Sequence, residues 1–177
     1  MAATKADTVD LGGTPPSDSG LVFKELQAIG WKGVKVVQVG TGAEGVIASG
    51  GAAAEGVYMG AAVVFDGPQV TEKQRKLNEG GKAAIGESLN AVQIGFYDSV
   101  KALKAAMELS QSVDPKVVAL SLPNIKFNSF YGPSGFGGKD TYGSMQQILV
   151  PVIVTQIKGG KLTEARRIEP AEMKSRK

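Results

Sequence analysis

Two short turns carry residue types that suit the capture of a small anionic group. Gly13 and Thr14 end the alternating apolar and polar run that starts at Ala6, and Gly40 and Thr41 follow the β-branched run that starts at Val34. Both runs predict β-strands, and both turns lie where loop backbones and helix N-termini converge in open α/β sheets. Their N–H groups and hydroxyls could bind a carboxylate. Glycine and threonine are also common turn formers, so a purely structural role stays open.

Two glycine patterns point weakly to nucleotide phosphates. Residues 40–45 match the dinucleotide pattern G-x-G-x-x-G, but no acidic residue ends a strand about 20 residues later, and Gly50 and Gly51 cut the following helix short. Residues 132–139 superficially resemble a phosphate loop, yet Lys139 is not followed by Ser or Thr, and the spacing is wrong. We therefore predict a mobile loop at 132–139 and no cofactor.

Composition removes most catalytic chemistry. The 177 residues include no histidine and no cysteine, which excludes thiol nucleophiles, thiolate zinc sites and histidine-based acid–base catalysis. The acidic residues Glu44, Glu55 and Asp66 lie in separate predicted turns, with no pairing that would raise a carboxyl pKa. We predict a non-enzyme with no catalytic residue and no metal ligand.

Charge and hydropathy argue against a nucleic-acid partner and against a membrane span. The net charge of +3 comes from 20 basic and 17 acidic residues, and several basic residues lie in the tail, so we predict no nucleic-acid partner. No run reaches the ~18 apolar residues of a membrane span, so the chain is not expected to cross a membrane. Residues 1–10 lack an apolar core, so no secretory signal is expected there. The hydrophobic share of 42% predicts a folded core.

The first third of the chain reads as consecutive strand–helix units. A strand near residues 6–13 precedes a helix with an N-cap at residues 17–19 and a C-cap at Gly30. A second strand at 34–40, a short helix and a third strand at 56–65 follow. The pattern predicts a largely parallel sheet.

The rest is helical and then returns to strands. Helices are predicted over 70–85 and 90–112, and Asp114 before a proline predicts a third over 115–122. Residues 124–139 are predicted to be a loop. Residues 148–157 and 162–168 predict a hairpin that turns at two glycines.

The second long helix carries an apolar stripe whose members recur at helical spacing: Val92, Phe96, Val100, Leu103 and Met107. Phe96 could face a ligand cleft or the core, and its place on the stripe favours the core. The aromatic residues between 127 and 142 could floor a pocket or anchor a loop, and we favour anchoring.

The order of several segments now supports a resemblance. Residues 19–33, 54–58, 95–103, and 142–143 with 146–160 resemble, in this order, the C-terminal half of a branched-chain-amino-acid-type (Leu/Ile/Val-binding-protein-like) solute-binding protein of an ABC transporter. The resemblance covers nearly the whole chain.

The resemblance implies an α/β fold class: a Rossmann-like or flavodoxin-like lobe with a parallel sheet flanked by helices, part of a type I periplasmic-binding-protein fold closed by a hinge. It assigns residues 1–65 to strand–helix units of the C-terminal lobe, and 66–141 to a helical segment of the other lobe. Residues 142–170 are then the closing hairpin of the C-terminal lobe, and 171–177 a frayed tail.

The resemblance also implies a function and a site. The chain would bind a small organic solute such as an amino acid or an aromatic carboxylate and deliver it to an ABC permease in the periplasm. The loops after the strands match Gly13, Thr14, Gly40 and Thr41, and Phe96 is the fifth ligand-binding candidate. Amino-acid binders often place an acid at the second loop, whereas here Glu44 is near that position but shifted.

Two questions stay open. What would precede residue 7 in the family, including the N-terminal lobe's sheet, is missing, so we expect the missing N-terminal half or a second copy as a partner. The alternative function is a ligand-sensing regulatory or interaction module with the same fold, and a nucleotide-dependent enzyme is a third.

Overall fold

The computed structural model describes residues 5–38 and 42–174. These residues form seven α-helices and eight β-strands, which we number along the chain. The helices are α1 (Pro16–Ala28), α2 (Ala43–Gly50), α3 (Glu72–Ile85), α4 (Ala91–Ser110), α5 (Pro115–Ser121), α6 (Lys139–Tyr142) and α7 (Ala171–Lys174). The strands are β1 (Thr8–Asp10), β2 (Val34–Val37), β3 (Tyr58–Ala61), β4 (Lys126–Ser129), β5 (Gly132–Gly137), β6 (Gln147–Ile148), β7 (Val152–Lys158) and β8 (Lys161–Ile168).

The chain divides into two compact units. The first comprises Met1–Val92 and Ile153–Arg167, and the second comprises Gln93–Val152 and Ile168–Lys177. Helix α3 therefore groups with the first unit by its contacts. The predicted boundaries at 65 and 141 describe family lobes, and they stay a prediction.

The first unit is built on a five-stranded sheet in the order β1-β2-β3-β7-β8. Strands β1, β2 and β3 are parallel, as the strand–helix pattern predicted, and β7 runs antiparallel to β3. The hairpin of β7 and β8 is confirmed. Its turn residues Gly159 and Gly160 both have positive φ, which favours glycine over other residues.

One face of this sheet packs against α1 and α2. Each of the three parallel strands contributes one buried side chain to that face: Val9, Val37 and Met59. They form one core with Phe23 of α1 and Val46 of α2. On the opposite face, Val34 and Tyr58 are exposed. The central apolar strands therefore bury one side against their own crossover helices.

Helix α1 begins earlier than predicted. We expected an N-cap within residues 17–19, but the helix starts at Pro16, whose missing N–H costs nothing at the first position. Ser19 is fully buried, and its hydroxyl donates a hydrogen bond to the Pro15 carbonyl. The N-cap role of Asp114 is confirmed, since its carboxylate accepts the N–H groups of Lys116 and Val117.

The second unit contains a hairpin where a loop was predicted. Strands β4 and β5 pair antiparallel within residues 126–137, and β6 extends them to a three-stranded sheet. The predictions of a loop at 124–139 and of a mobile loop at 132–139 were wrong. Phe130 and Phe136 are buried in this region, whereas Tyr142 is exposed. Residues 171–177, expected to fray, include α7, whose Glu172 carboxylate accepts the Gly138 N–H.

Helix α4 leaves four residues of its predicted stripe exposed, whereas the fifth, Met107, packs against the core of the second unit. Ala102 and Ala106 face the core of the second unit, together with Val118, Ile125 and Phe136. Phe96 is 69% exposed, so the prediction that it packs in the core was wrong. The small side chains of Ala102 and Ala106 let the β4–β5 hairpin and α5 pack closely against the helix.

Candidate functional site

The carboxyl ends of β1, β2 and β3 lie at one edge of the sheet because the three strands are parallel. Gly13 and Thr14 follow β1 at this edge, in a turn closed by a 3.1 Å hydrogen bond from the Thr14 N–H to the Leu11 carbonyl. Gly13 has φ +80°, a conformation that favours glycine. Thr14 is half-buried, and none of the described residues accepts a hydrogen bond from its hydroxyl.

A side-chain bridge joins β1 and β2 at the same edge. One oxygen of Asp10 accepts the Gly12 N–H at 3.0 Å, and the other accepts the Gln38 side-chain N–H at 2.7 Å. A Cβ at Gly12 would lie 3.1 Å from the Gln38 side chain, so the glycine leaves room for this bridge. Asp10 and Gln38 were not predicted. Their positions become meaningful only with the parallel register, which aligns Asp10 with Val36 and brings Gln38 to the same end.

The second predicted loop is only partly described. Gly40 and Thr41 lie outside the described residues, so their ligand contacts stay a prediction. Helix α2 begins directly after this loop, with Gly42 at its N-cap. The Glu44 carboxylate folds back to the position that a Cβ on Gly42 would occupy, and a negative charge is favourable in the first turn of a helix.

A cavity of about 780 Å³ opens beside β3 within the first unit. Its wall includes the segment 59–69, the first turn of α2, residues 88–91 and the hairpin segment 160–164. Ligand sites for small organic molecules usually enclose about 300–1,000 Å³, so the cavity is large enough for one. Gly13, Thr14 and Phe96 do not line it.

The cavity wall mixes apolar side chains with separated charges. Glu44 and Asp66 contribute carboxylates, and Lys82 and Lys161 contribute ammonium groups. Glu164 also lies in the wall, but Arg167 holds its carboxylate with two 2.9 Å hydrogen bonds, which lowers its pKa. Such a wall can orient a small molecule that has both apolar and polar parts.

Arg75 fixes the segment that follows β3. Its guanidinium donates hydrogen bonds to the carbonyls of Phe65 and Val70, both at 3.1 Å. Helix α3 is itself held by a capping box in which Thr71 and Gln74 bond reciprocally. The cavity wall therefore depends on one arginine of α3.

Two titratable side chains, the half-buried Lys35 and the buried Asp98, have structural roles. Burial lowers the pKa of Lys35, although nearby Glu55 opposes the shift, and its ammonium donates to the carbonyls of Ala53 and Glu55. Burial raises the pKa of Asp98 on α4, whose carboxylate accepts the Phe130 N–H at 2.5 Å. Neither residue lines the cavity. Within residues 5–38 and 42–174, no group of three acidic side chains could hold a metal ion.

Comparison with known proteins identifies the family of this chain. The family model described as "periplasmic binding protein" matches residues 1–161, which is most of the chain. The chain belongs to the periplasmic binding protein family. The α/β fold class predicted from the sequence is confirmed, and family and fold are those of substrate-binding proteins.

Solved periplasmic binding proteins share the fold. The leucine-binding protein LivK from Thermotoga maritima aligns with 97% of this chain at 19% identity and a TM-score of 0.72. A leucine-, isoleucine-, valine-, threonine- and alanine-binding protein from Brucella ovis aligns with 95% at 17% identity and a TM-score of 0.74. A solute-binding protein from R. palustris, solved with benzoate, aligns with 96% at 17% identity and a TM-score of 0.67.

This periplasmic binding protein chain spans less than half of those relatives. It covers 47% of the Thermotoga chain, 44% of the Brucella chain and 45% of the R. palustris chain. None of the helices in the described part is both long enough and apolar enough to cross a membrane.

Proposed function

We propose that the chain binds a small organic solute and takes part in its delivery to an ABC permease in the periplasm. The observation that carries the proposal is the cavity beside β3, at the carboxyl edge of the parallel strands, where open α/β sheets bind their ligands. Its wall supplies apolar contacts from the segment after β3 and separated charges from Glu44 and Lys82.

Two relatives support a class of solute for this chain. One neighbour carries the name of a leucine-binding protein, and another was solved with benzoate. We propose an amino acid or an aromatic carboxylate as the solute of this chain. Gly13 and Thr14 lie outside the cavity wall but at the same carboxyl edge of the sheet, from which they would contribute N–H and hydroxyl donors to the solute's carboxylate. Gly40 and Thr41 would do the same, and Phe96 remains a proposed contact.

Calorimetric titration of the full chain with the branched-chain amino acids and with benzoate tests the proposal. We expect saturable binding of at least one compound. Thr14→Ala and Thr41→Ala should each weaken that binding by about 1–2 kcal/mol, near tenfold, because each removes a hydroxyl donor. Thr8→Ala is the matched control, since Thr8 is an exposed threonine at the amino end of β1.

The possible results of this titration distinguish an error in the assigned loops from an error in the proposed function. Binding that Thr14→Ala and Thr41→Ala leave unchanged contradicts the assignment of these loops but keeps solute binding. Absence of binding to the whole panel, from a chain whose circular dichroism shows a folded α/β protein, contradicts the proposed function.

A further inference from the structure

A second, smaller pocket opens at the end of α1, away from the candidate ligand loops. We call it the Trp31 pocket, and its wall includes Phe23, Leu26, Trp31, Lys32 and Lys35. Its volume is about 290 Å³, close to the lower end of the ~300–1,000 Å³ typical of small-molecule sites. It shares no lining residue with the cavity beside β3.

The Trp31 pocket lies at the amino edge of the parallel strands. Trp31 is in the turn between α1 and β2, and its indole N–H donates to the carbonyl of Ala6, just before β1, at 2.8 Å. Strands β1 and β2 both begin here and run in parallel. Gly13 and Thr14 follow β1 at its other end, so the pocket and the candidate ligand loops occupy opposite edges of the sheet.

The apolar part of the pocket is largely aromatic. Phe23 and Leu26 line it although they are only 1% and 6% exposed, and the half-buried Trp31 lies beside them. The indole N–H is already bonded to a carbonyl, so the indole offers a guest only its ring. A Cβ on Gly33 would overlap this ring, so the glycine lets the indole lie where it does. Such a wall favours a small, flat, apolar group.

The two charged residues among those that line the pocket are both basic. The Lys35 ammonium lies 5.8 Å from the centroid of the Phe23 ring, and it donates to two backbone carbonyls, which uses two of its three N–H groups. Burial lowers the pKa of Lys35, and nearby Glu55 compensates for part of that shift. Lys32 is exposed and forms no ion pair within residues 5–38 and 42–174. The pocket therefore combines an aromatic wall with uncompensated positive charge.

We propose that the Trp31 pocket is a second binding site, which takes one small aromatic carboxylate. The ring of the ligand packs against Phe23 and Trp31, where aromatic groups gain more than their buried area alone provides. Its carboxylate faces Lys32 and Lys35, and bonds to charged donors are stronger than bonds between neutral groups. The proposal goes beyond solute binding beside β3, because the two sites share no residue.

Fluorescence titration of the full chain with benzoate tests the proposal. Trp31 is the only tryptophan of the chain, so tryptophan fluorescence reports this pocket. We expect a saturable change with half-saturation at about 1 mM, as suits a ligand of few atoms. Benzamide has the ring without the charge, and acetate has the charge without the ring. Each should bind at least tenfold more weakly than benzoate.

Two variants test the role of the positive charge. Lys35→Met should weaken benzoate binding about tenfold, because it removes the ammonium and keeps an apolar side chain beside Phe23. Lys32→Glu should weaken it about fivefold, because it reverses an exposed charge at the pocket. Lys73→Glu is the matched control: it makes the same change at an exposed lysine of α3 that lines neither cavity, and it should leave the binding unchanged.

Three results overturn the proposal. They are a tryptophan signal that does not saturate with benzoate, equal binding of benzamide and benzoate, and equal weakening by Lys32→Glu and Lys73→Glu. Benzoate binding that calorimetry detects without any change at Trp31 also overturns it, but keeps the proposed function. Thermal melts show whether each variant folds, and Lys32→Glu alone decides the role of charge if Lys35→Met does not fold.

Discussion

Helices α1 and α4 each carry one phenylalanine, which is buried in α1 and exposed in α4. In α1, Phe23 is 1% exposed and lies with Leu26 in the core beneath the sheet. In α4, Ile94 is buried on the same face as Asp98, Ala102 and Ala106, whereas Phe96 and Val100 lie in solvent. The contrast shows that helical periodicity finds an apolar stripe without telling which surface the stripe meets. The meeting surface is decided by neighbours that are distant in the sequence.

The largest expected effect is the difference in stability loss when the phenylalanine of each helix is replaced by alanine. Phe23→Ala should destabilise the chain by about 3–5 kcal/mol, because it empties a fully packed position. Phe96→Ala should change the stability by no more than about 0.5 kcal/mol, because its side chain is exposed. Urea denaturation of the two variants and the unchanged chain measures both values. Equal losses from the two variants would show that α4 is packed like α1.

Glycines in the two helices offer a second test. A Cβ at Gly20 of α1 would lie 2.6 Å from the Gly50 nitrogen and 2.8 Å from the Val46 carbonyl oxygen, so the backbone of α2 would have to move. Gly20→Ala should therefore cost about 1–3 kcal/mol.

Gly95 of α4 is the matched control for Gly20. A Cβ there meets nothing within 4 Å, and Gly95→Ala should stabilise the helix by about 0.5–1 kcal/mol. Melting temperatures should therefore move in opposite directions. A gain from Gly20→Ala would contradict the close contact between α1 and α2.

The sequence was sufficient for elements whose causes are local. Strands β1 to β3 and their helices follow from β-branched runs separated by turn residues, and Gly159 and Gly160 mark the final hairpin. The hairpin of β4 and β5 was missed because residues 126–137 are rich in glycine and serine and lack an alternating pattern. It depends on distant contacts, such as the 2.7 Å hydrogen bond from the Ser134 hydroxyl to the Leu149 carbonyl.

The candidate site was predicted in outline only. Gly13 and Thr14 lie at the carboxyl edge of the sheet, where the strand pattern placed them. The bridge between Asp10 and Gln38 could not be predicted, because the two residues are 28 positions apart in the chain and meet only through the register between β1 and β2. The wall beside β3 likewise requires Arg75 of α3, which no local pattern connects with Phe65.

Asp98 reports the inward face of α4 through the pH dependence of the chain's stability. Burial is the main cause that raises its pKa in the folded chain, while the Phe130 N–H and Lys101 oppose the shift. An acid with a raised folded pKa keeps its proton in the folded chain after the unfolded chain has lost it. The free energy of unfolding should therefore fall as the pH rises from the ordinary aspartate pKa of 3.8 through the folded pKa.

Asp98→Asn should remove this fall, because the amide oxygen still accepts the Phe130 N–H and carries no charge. Asp98→Ala should remove the fall as well but should cost about 1–3 kcal/mol at neutral pH, because it leaves the buried N–H of Phe130 without this acceptor. Urea denaturation of the three chains between about pH 4 and pH 8 measures the difference. If wild type and Asp98→Asn keep the same pH dependence, the carboxyl is not buried against the hairpin, and the inward face of α4 is not the packed surface that distinguishes it from its exposed stripe.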